Sequence, residues 1–143
     1  MKRIVELANL DIGKNQIISI SFVGPKTIDR INQEFVNHTG LTDVISFDYR
    51  DEGQDWDNDV VCELIIHPGM AVLAASQRKN SNFAYEMVLY LVHGILHIVG
   101  ENDLKSKERT RMRRREREIL KKLQKEFSFE TILQQKINVQ EQL

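Results

Sequence analysis

Two histidines and one aspartate form the clearest chemical pattern in the sequence. His93 and His97 are four residues apart in an apolar stretch with helical periodicity, so both imidazoles lie on one face of a helix, one turn apart. Gly100 allows the chain to turn back, and Asp103 could then supply a third ligand from the following loop. Three protein ligands with an open position are typical of catalytic zinc, whereas structural zinc usually has four. The pattern predicts one hydrolytic metal site for a single ion, Zn2+ or another divalent metal.

The same residues allow other interpretations. Histidines on an apolar helix can simply be core residues whose ring nitrogens are hydrogen-bonded. If an ion is bound, two neutral imidazoles and one carboxylate leave it positively charged, which lowers the pKa of a bound water to about 7 and suits both peptide and phosphodiester hydrolysis. Zinc peptidases with an HExxH motif carry a general-base glutamate directly after the first histidine. Here that position is Gly94, so the motif lacks the proton-transfer group of a peptidase.

The elements that must position these residues follow from hydrophobic periodicity. Alternating apolar residues predict strands over Ile17–Val23, Thr42–Tyr49 and Val60–Ile66. Spacings of three and four predict helices over Thr27–Phe35, from Pro68 to about Gln77, over Phe83–Val99, and from Ser106 to about Phe127. Residues 128–143 either extend the last helix or fray. The order predicts one domain over residues 1–143, of the α+β (mixed α/β) class, with a small sheet covered by helices and a central histidine-bearing helix.

Composition limits the setting of such a site. A chain of 143 residues with 41% hydrophobic content is long enough for one core and one domain. The single cysteine, Cys62, cannot form an internal disulfide and is expected to be a buried apolar residue. The N-terminus lacks the apolar segment of a signal peptide, and no apolar run approaches the roughly 20 residues of a membrane helix. These features predict a cytoplasmic protein without a membrane association.

The charge distribution is more informative than the net charge of -1. Between Lys105 and Glu126 the chain has eleven basic residues and four glutamates, a balance of +7. A basic helix beside a hydrolytic metal site suits a polyanionic substrate such as RNA. The alternative is a solvated surface helix with internal ion pairs. The candidate RNA-binding residues are Arg111, Arg113, Arg114, Arg115 and Arg117.

Three blocks of the sequence resemble the YbeY family of metal-dependent endoribonucleases. The stretch HGILHIVGEND, residues 93–103, is similar to the family signature in which His-Gly-x-x-His-x-x-Gly precedes a third metal ligand. The segment INQEFVNHTGLTDVISFDY, residues 31–49, and the strand VCELIIHP, residues 61–68, resemble two further blocks. The resemblance covers about residues 17–125. It implies a zinc-dependent endoribonuclease that acts on single-stranded RNA in small-subunit ribosomal RNA maturation and ribosome quality control.

The resemblance also identifies further candidates and departures. Asp43 and Ser46, in the second block, are the weaker catalytic candidates, since either could orient RNA or merely bond to the backbone. Asp103 stands where many family members have histidine, and Val36 stands where an arginine is common. The alternatives to an endoribonuclease are an RNA-binding ribosome-assembly factor with a structural metal and a zinc metallopeptidase. His67 and His38 are expected to be structural.

Overall fold

The protein, described here by a computed structural model for residues 1–36, 40–50 and 60–133, is built around a three-stranded sheet. The strands are β1 (Ile17–Phe22), β2 (Val44–Asp48) and β3 (Val60–Ile66). Their order is β1-β3-β2, with β1 parallel and β2 antiparallel to β3. Each strand lies within its predicted range. The small sheet with covering helices confirms the predicted fold class.

Among the described residues, five α-helices with complete bounds accompany this sheet. Their bounds are α1 (Lys2–Leu7), α2 (Pro25–Ile31), α3 (Pro68–Gln77), α4 (Phe83–Val99) and α5 (Ser106–Glu126). Helix α1 was not predicted, because it has too few residues to establish a helical period, although its Ile4 is buried. The predicted helix from Thr27 to Phe35 was wrong at both ends, because α2 begins at a proline suited to the first turn and continues as a π-helical turn over Asn32–Val36.

Helix α4 packs directly against the sheet because residue 94 has no side chain. A Cβ atom at Gly94 would lie 2.9 Å from Cδ2 of Leu64 and 3.1 Å from Oγ of Ser46. The Ser46 hydroxyl donates a hydrogen bond of 3.0 Å to the Gly94 carbonyl. Gly94 therefore faces the sheet, which places His93 and His97 about 100° and about 60° away from it, on the same flank of the helix.

Both ends of α4 are capped by specific residues. The Asn82 side chain accepts a hydrogen bond of 2.9 Å from the Tyr85 amide at the start. Gly100 ends the helix with a φ of 105°, and the Glu101 amide then donates to the Leu96 carbonyl at 2.9 Å. This left-handed turn, as predicted for Gly100, reverses the chain immediately after His97.

Helix α5 packs against the rest of the protein by a narrow stripe of buried residues. Its buried residues are Met112, Glu116, Ile119, Leu120 and Leu123. The helix ends at Glu126 and Phe127 is extended, so the following segment does not simply continue it. Residues 129–133 are helical. The rest of the predicted tail, 134–143, lies outside the described residues.

The remaining predictions concern isolated residues. Cys62 is fully buried as predicted, and burial raises the pKa of its thiol to about 11. His67 is also buried, with its Nδ1 atom 3.2 Å from the Val23 carbonyl, which is a structural role. His38 and the acidic connector at 51–59 lie outside the described residues. Within the described part of the chain, no helix combines the length and apolar character needed to cross a membrane.

Candidate metal centre

The predicted ligands meet at one point on the flank of α4. His93 Nε2 lies 2.9 Å from His97 Nε2, and Asp103 Oδ2 lies 3.7 Å and 3.8 Å from these two nitrogens. A triangle with these sides has a circumscribed radius of about 2.0 Å, and zinc bonds to nitrogen and oxygen are about 2.0–2.2 Å long. We call His93, His97 and Asp103 the metal triad. Its three atoms are spaced to share one ion.

The outer ring nitrogens determine what the inner ones can do. His93 Nδ1 bonds to the buried Glu116 carboxylate, and His97 Nδ1 lies 3.2 Å from the Glu101 carbonyl. A carboxylate and a carbonyl can only accept, so each neutral imidazole carries its proton on Nδ1. Both Nε2 atoms are then bare acceptors that face each other and an aspartate oxygen. Three converging acceptors without a donor between them are chemically suited to a cation, and the outer contacts are those that commonly orient ligating histidines.

The loop after Gly100 is held by its own hydrogen bonds. The Asn102 side chain accepts from the amides of Asp103 and Leu104 at 2.8 Å and 3.1 Å. From α5, Arg109 donates to the carbonyls of Asp103 and Leu104 at 3.3 Å and 2.9 Å. Asp103 is therefore held by two neighbouring side chains that fix its backbone.

A second set of contacts fixes the carbonyl that orients His97. The Glu101 carboxylate accepts hydrogen bonds of 3.0 Å from both Arg111 and Arg115. Arg115 also donates to the Ala8 carbonyl at 3.3 Å, which ties the loop to the end of α1. These two arginines lower the pKa of Glu101 by more than its burial raises it. Both belong to the predicted RNA-binding set, and both are engaged within the protein.

The two histidines differ in their electrostatic environment. Burial lowers the pKa of His93, but the hydrogen bond and negative charge of Glu116, with smaller contributions from Asp43 and Asp103, raise it above its usual value. Burial also lowers the pKa of His97, and the adjacent His93 lowers it further. The ring of His97 is therefore more readily neutral than that of His93 at neutral pH, and so more readily available as a metal ligand.

The metal triad opens into a cleft of about 540 Å³ between α3, α4 and α5. This volume is typical of a ligand site. Its walls include Leu73 from α3, Tyr90 and His93 from α4, and Arg113 and Arg117 from α5. We call it the basic cleft. Of the predicted arginines, the structure brings these two into the cleft, four residues apart on one face of the helix.

The structure places the other candidates in different positions. Asp43 lines the basic cleft, and its Oδ1 atom accepts a hydrogen bond of 2.8 Å from the Val44 amide. Ser46 is directed at the Gly94 carbonyl, so its hydroxyl holds α4 to the sheet. Arg114 is exposed on α5. Asp43 is thus the candidate that the fold brings beside the metal triad.

The residues that orient the candidate ligands were not predicted from the sequence. Glu116 has a visible signal, because it lies four residues after Met112 and three before Ile119, on the apolar stripe of α5. A carboxylate at such a position needs a partner when it is buried. Glu101 has no comparable signal, since its role depends on a backbone carbonyl after the turn at Gly100.

Comparisons with known proteins all point to one family. The sequence model of the family described as Endoribonuclease YbeY matches residues 1–124. Proteins named Endoribonuclease YbeY from Thermodesulfovibrio yellowstonii and Elusimicrobium minutum are 32% and 36% identical over 108 and 100 residues. These matches cover 75% and 66% of this chain and 67% and 66% of the relatives, so the chain spans about two thirds of their length. The relative of that name from Fusobacterium nucleatum is 31% identical, with 84% of this chain and 75% of the relative covered.

A solved structure shows the same fold. The solution structure of a protein from Thermotoga maritima has a TM-score of 0.55 at 22% identity, and the match covers 87% of this chain and 79% of that chain. The family resemblance of the three sequence blocks is confirmed by the family model, which matches residues 1–124. The chain belongs to the Endoribonuclease YbeY family.

Proposed function

We propose that the protein is a metal-dependent endoribonuclease that cleaves single-stranded RNA, with the metal triad holding one divalent ion, zinc. The observation that carries the proposal is the convergence of three acceptor atoms whose histidines are both oriented from behind. The family name supplies the reaction class. Asp103 replaces a histidine with a charged oxygen ligand, and two histidines with one carboxylate form a known ligand set of catalytic zinc.

Other residues around the metal triad have separate roles in the proposed reaction. When bound, the ion lowers the pKa of a coordinated water and polarises a phosphoryl oxygen. Glu116 holds the His93 ring in its ligating tautomer. Asp43, on the wall of the basic cleft, is the carboxylate to which we assign acceptance of a proton from the attacking water. Arg113 and Arg117 bind phosphates that flank the scissile bond.

The size of the basic cleft suits a single strand better than a duplex, and residue 94 argues against a peptidase. Its volume of about 540 Å³ is on the scale of nucleotides, whereas an RNA duplex is recognised over a broad surface. A peptidase of the HExxH type needs a glutamate at residue 94, yet Gly94 faces Leu64 with no room for a side chain. We therefore retain phosphodiester hydrolysis and place the reaction in the cytoplasm, in small-subunit ribosomal RNA maturation and ribosome quality control, as the family resemblance implies.

The test measures metal content and RNA cleavage on the same samples. We expect about one ion per chain in the wild type, and a joint loss of metal and cleavage in His97→Ala and Asp103→Asn. Asp11→Asn is the matched control, since Asp11 is exposed and outside the basic cleft. Loss of metal with unchanged cleavage would overturn the mechanism. A wild type that binds RNA and leaves it intact, after removal of contaminating nucleases, would instead support the assembly-factor alternative.

A further inference from the structure

The far end of the basic cleft contains a charged pair that the metal site does not use. Glu86 is fully buried in α4, and its carboxylate accepts hydrogen bonds from Arg78 at 3.1 Å and from Ser81 at 2.7 Å. The Arg78 side chain is 59% exposed and lines the basic cleft. The pair thus joins a completely buried anion to a cation that faces the cleft.

The hydrogen bonds leave most of the guanidinium available. Among the described residues, the contacts from Arg78 to Glu86 both come from the single nitrogen Nη1. A guanidinium has five N–H donors in a planar fork, which matches the oxygens of a phosphate. A buried carboxylate that holds one corner of this fork limits the conformations of Arg78 and directs its other donors to the cleft.

The position of the pair relative to the metal triad is set by α4. Glu86 and His93 are seven residues apart on this helix, so they share one face and are separated by about 10 Å along the axis. Stacked nucleotides advance by about 3.4 Å each along a helix axis, so this span is on the scale of a few nucleotides. The arginines of α5 line the wall of the same cleft.

We propose that Arg78, oriented by the buried Glu86, binds an RNA phosphate a few nucleotides from the scissile bond. The proposal rests on the proposed function for the identity of the ligand. It assigns Arg78 a binding role and Glu86 a positioning role. The consequence is a minimum substrate length, because an RNA too short to reach from the metal triad to Arg78 gains nothing from that contact.

The test is a binding titration with labelled 2′-O-methyl oligonucleotides of about two to about eight nucleotides. Binding is measured by fluorescence anisotropy at several salt concentrations. For the longer probes we expect Arg78→Ala to weaken binding about fivefold at 0.1 M salt and to reduce the salt slope by about 0.7. For the shortest probes we expect no change. Lys79→Ala is the matched control, since it removes the neighbouring exposed cation, which does not line the basic cleft. A gel confirms that each probe stays intact.

Removal of Arg78 alone leaves the buried Glu86 carboxylate without a cation, with the Ser81 hydroxyl as its hydrogen-bond donor. The double variant Arg78→Ala/Glu86→Gln serves if the single variant does not fold. Equal binding by wild type and variant at every length, or weaker binding without a change in salt slope, would show that the pair is only structural. Normal cleavage with that result refutes this proposal alone. A wild type that binds the probes but cleaves no natural RNA refutes the proposed function and leaves the role of Arg78 intact.

Discussion

The arginines of α5 allow a test with two double variants of the same amino-acid composition. One variant is predicted to affect RNA binding and the other to affect zinc binding. Arg113 and Arg117 line the basic cleft, whereas Arg111 and Arg115 bind the Glu101 carboxylate. Each pair has a spacing of four residues, and the two pairs are rotated by about 200° on the helix. The double variants Arg113→Ala/Arg117→Ala and Arg111→Ala/Arg115→Ala therefore change the net charge equally but affect different faces.

The expected magnitude follows from counterion release. Each phosphate contact on a single strand contributes about 0.7 to the slope of log K against log salt, which is a factor of about five in affinity at 0.1 M salt relative to 1 M. Loss of the two cleft-lining arginines should lower RNA affinity about 25-fold and the slope by about 1.4. Loss of Arg111 and Arg115 should leave the slope nearly unchanged, because their charges are already paired with Glu101.

The second variant should have its effect on the metal site. Without the two arginines, the Glu101 carboxylate, whose side chain is 13% exposed, loses its hydrogen bonds, and the carbonyl that orients His97 is held less firmly. Zinc affinity should fall by about tenfold. RNA binding is measured by anisotropy and zinc affinity by competition with a chelator. Equal salt slopes in the two double variants would refute the assignment of faces.

Three further predictions concern single residues. Glu116→Gln should lower zinc affinity about 10- to 100-fold in the same competition assay, because a neutral amide orients and polarises His93 less well. Unchanged zinc affinity would show that Glu116 does not support the site. Gly94→Ala should lower the free energy of unfolding in urea by about 1 kcal/mol, because overpacking against Leu64 at about 2 kcal/mol outweighs a gain in helix propensity of about 1 kcal/mol; a stabilised variant would contradict this. Cys62, with a pKa of about 11, is about one part in a thousand thiolate at pH 8. Mass spectrometry should therefore find it unmodified by iodoacetamide until the protein is unfolded, and rapid labelling of the folded protein would contradict its burial.

The sequence predicts the strongly apolar elements best. The bounds of β3 and α4 agree with their predicted ranges, because β3 pairs with both other strands and α4 is buried along most of its length. Where burial is partial, the prediction loses accuracy. Helix α1 has six residues and one buried side chain, and the π-helical turn at Asn32–Val36 depends on tertiary contacts that a periodic pattern does not encode.

The candidate ligands could also be predicted from local patterns in the sequence. His93 and His97 follow from helical spacing alone, and Asp103 follows from the left-handed turn that Gly100 permits. The distances between the three atoms come from the fold, because they depend on the backbone conformation of the loop after Gly100. Asn102 and Arg109 determine that backbone, and neither has a pattern in the sequence that relates it to a metal site.

The charges of α5 show why composition alone could not identify the arginines that line the basic cleft. A balance of +7 between residues 105 and 126 is a sum, whereas binding depends on which side of the helix each charge occupies. The apolar stripe supplies the missing reference, because Met112 and Leu120 lie in the same cleft as Arg113 and Arg117. Glu116 is the anion on that stripe. A buried carboxylate between two exposed cations, on a helix that packs against a histidine-bearing helix, is therefore a pattern that predicts two positions. It predicts which side of α5 contacts the histidine and which residues of α5 line the basic cleft.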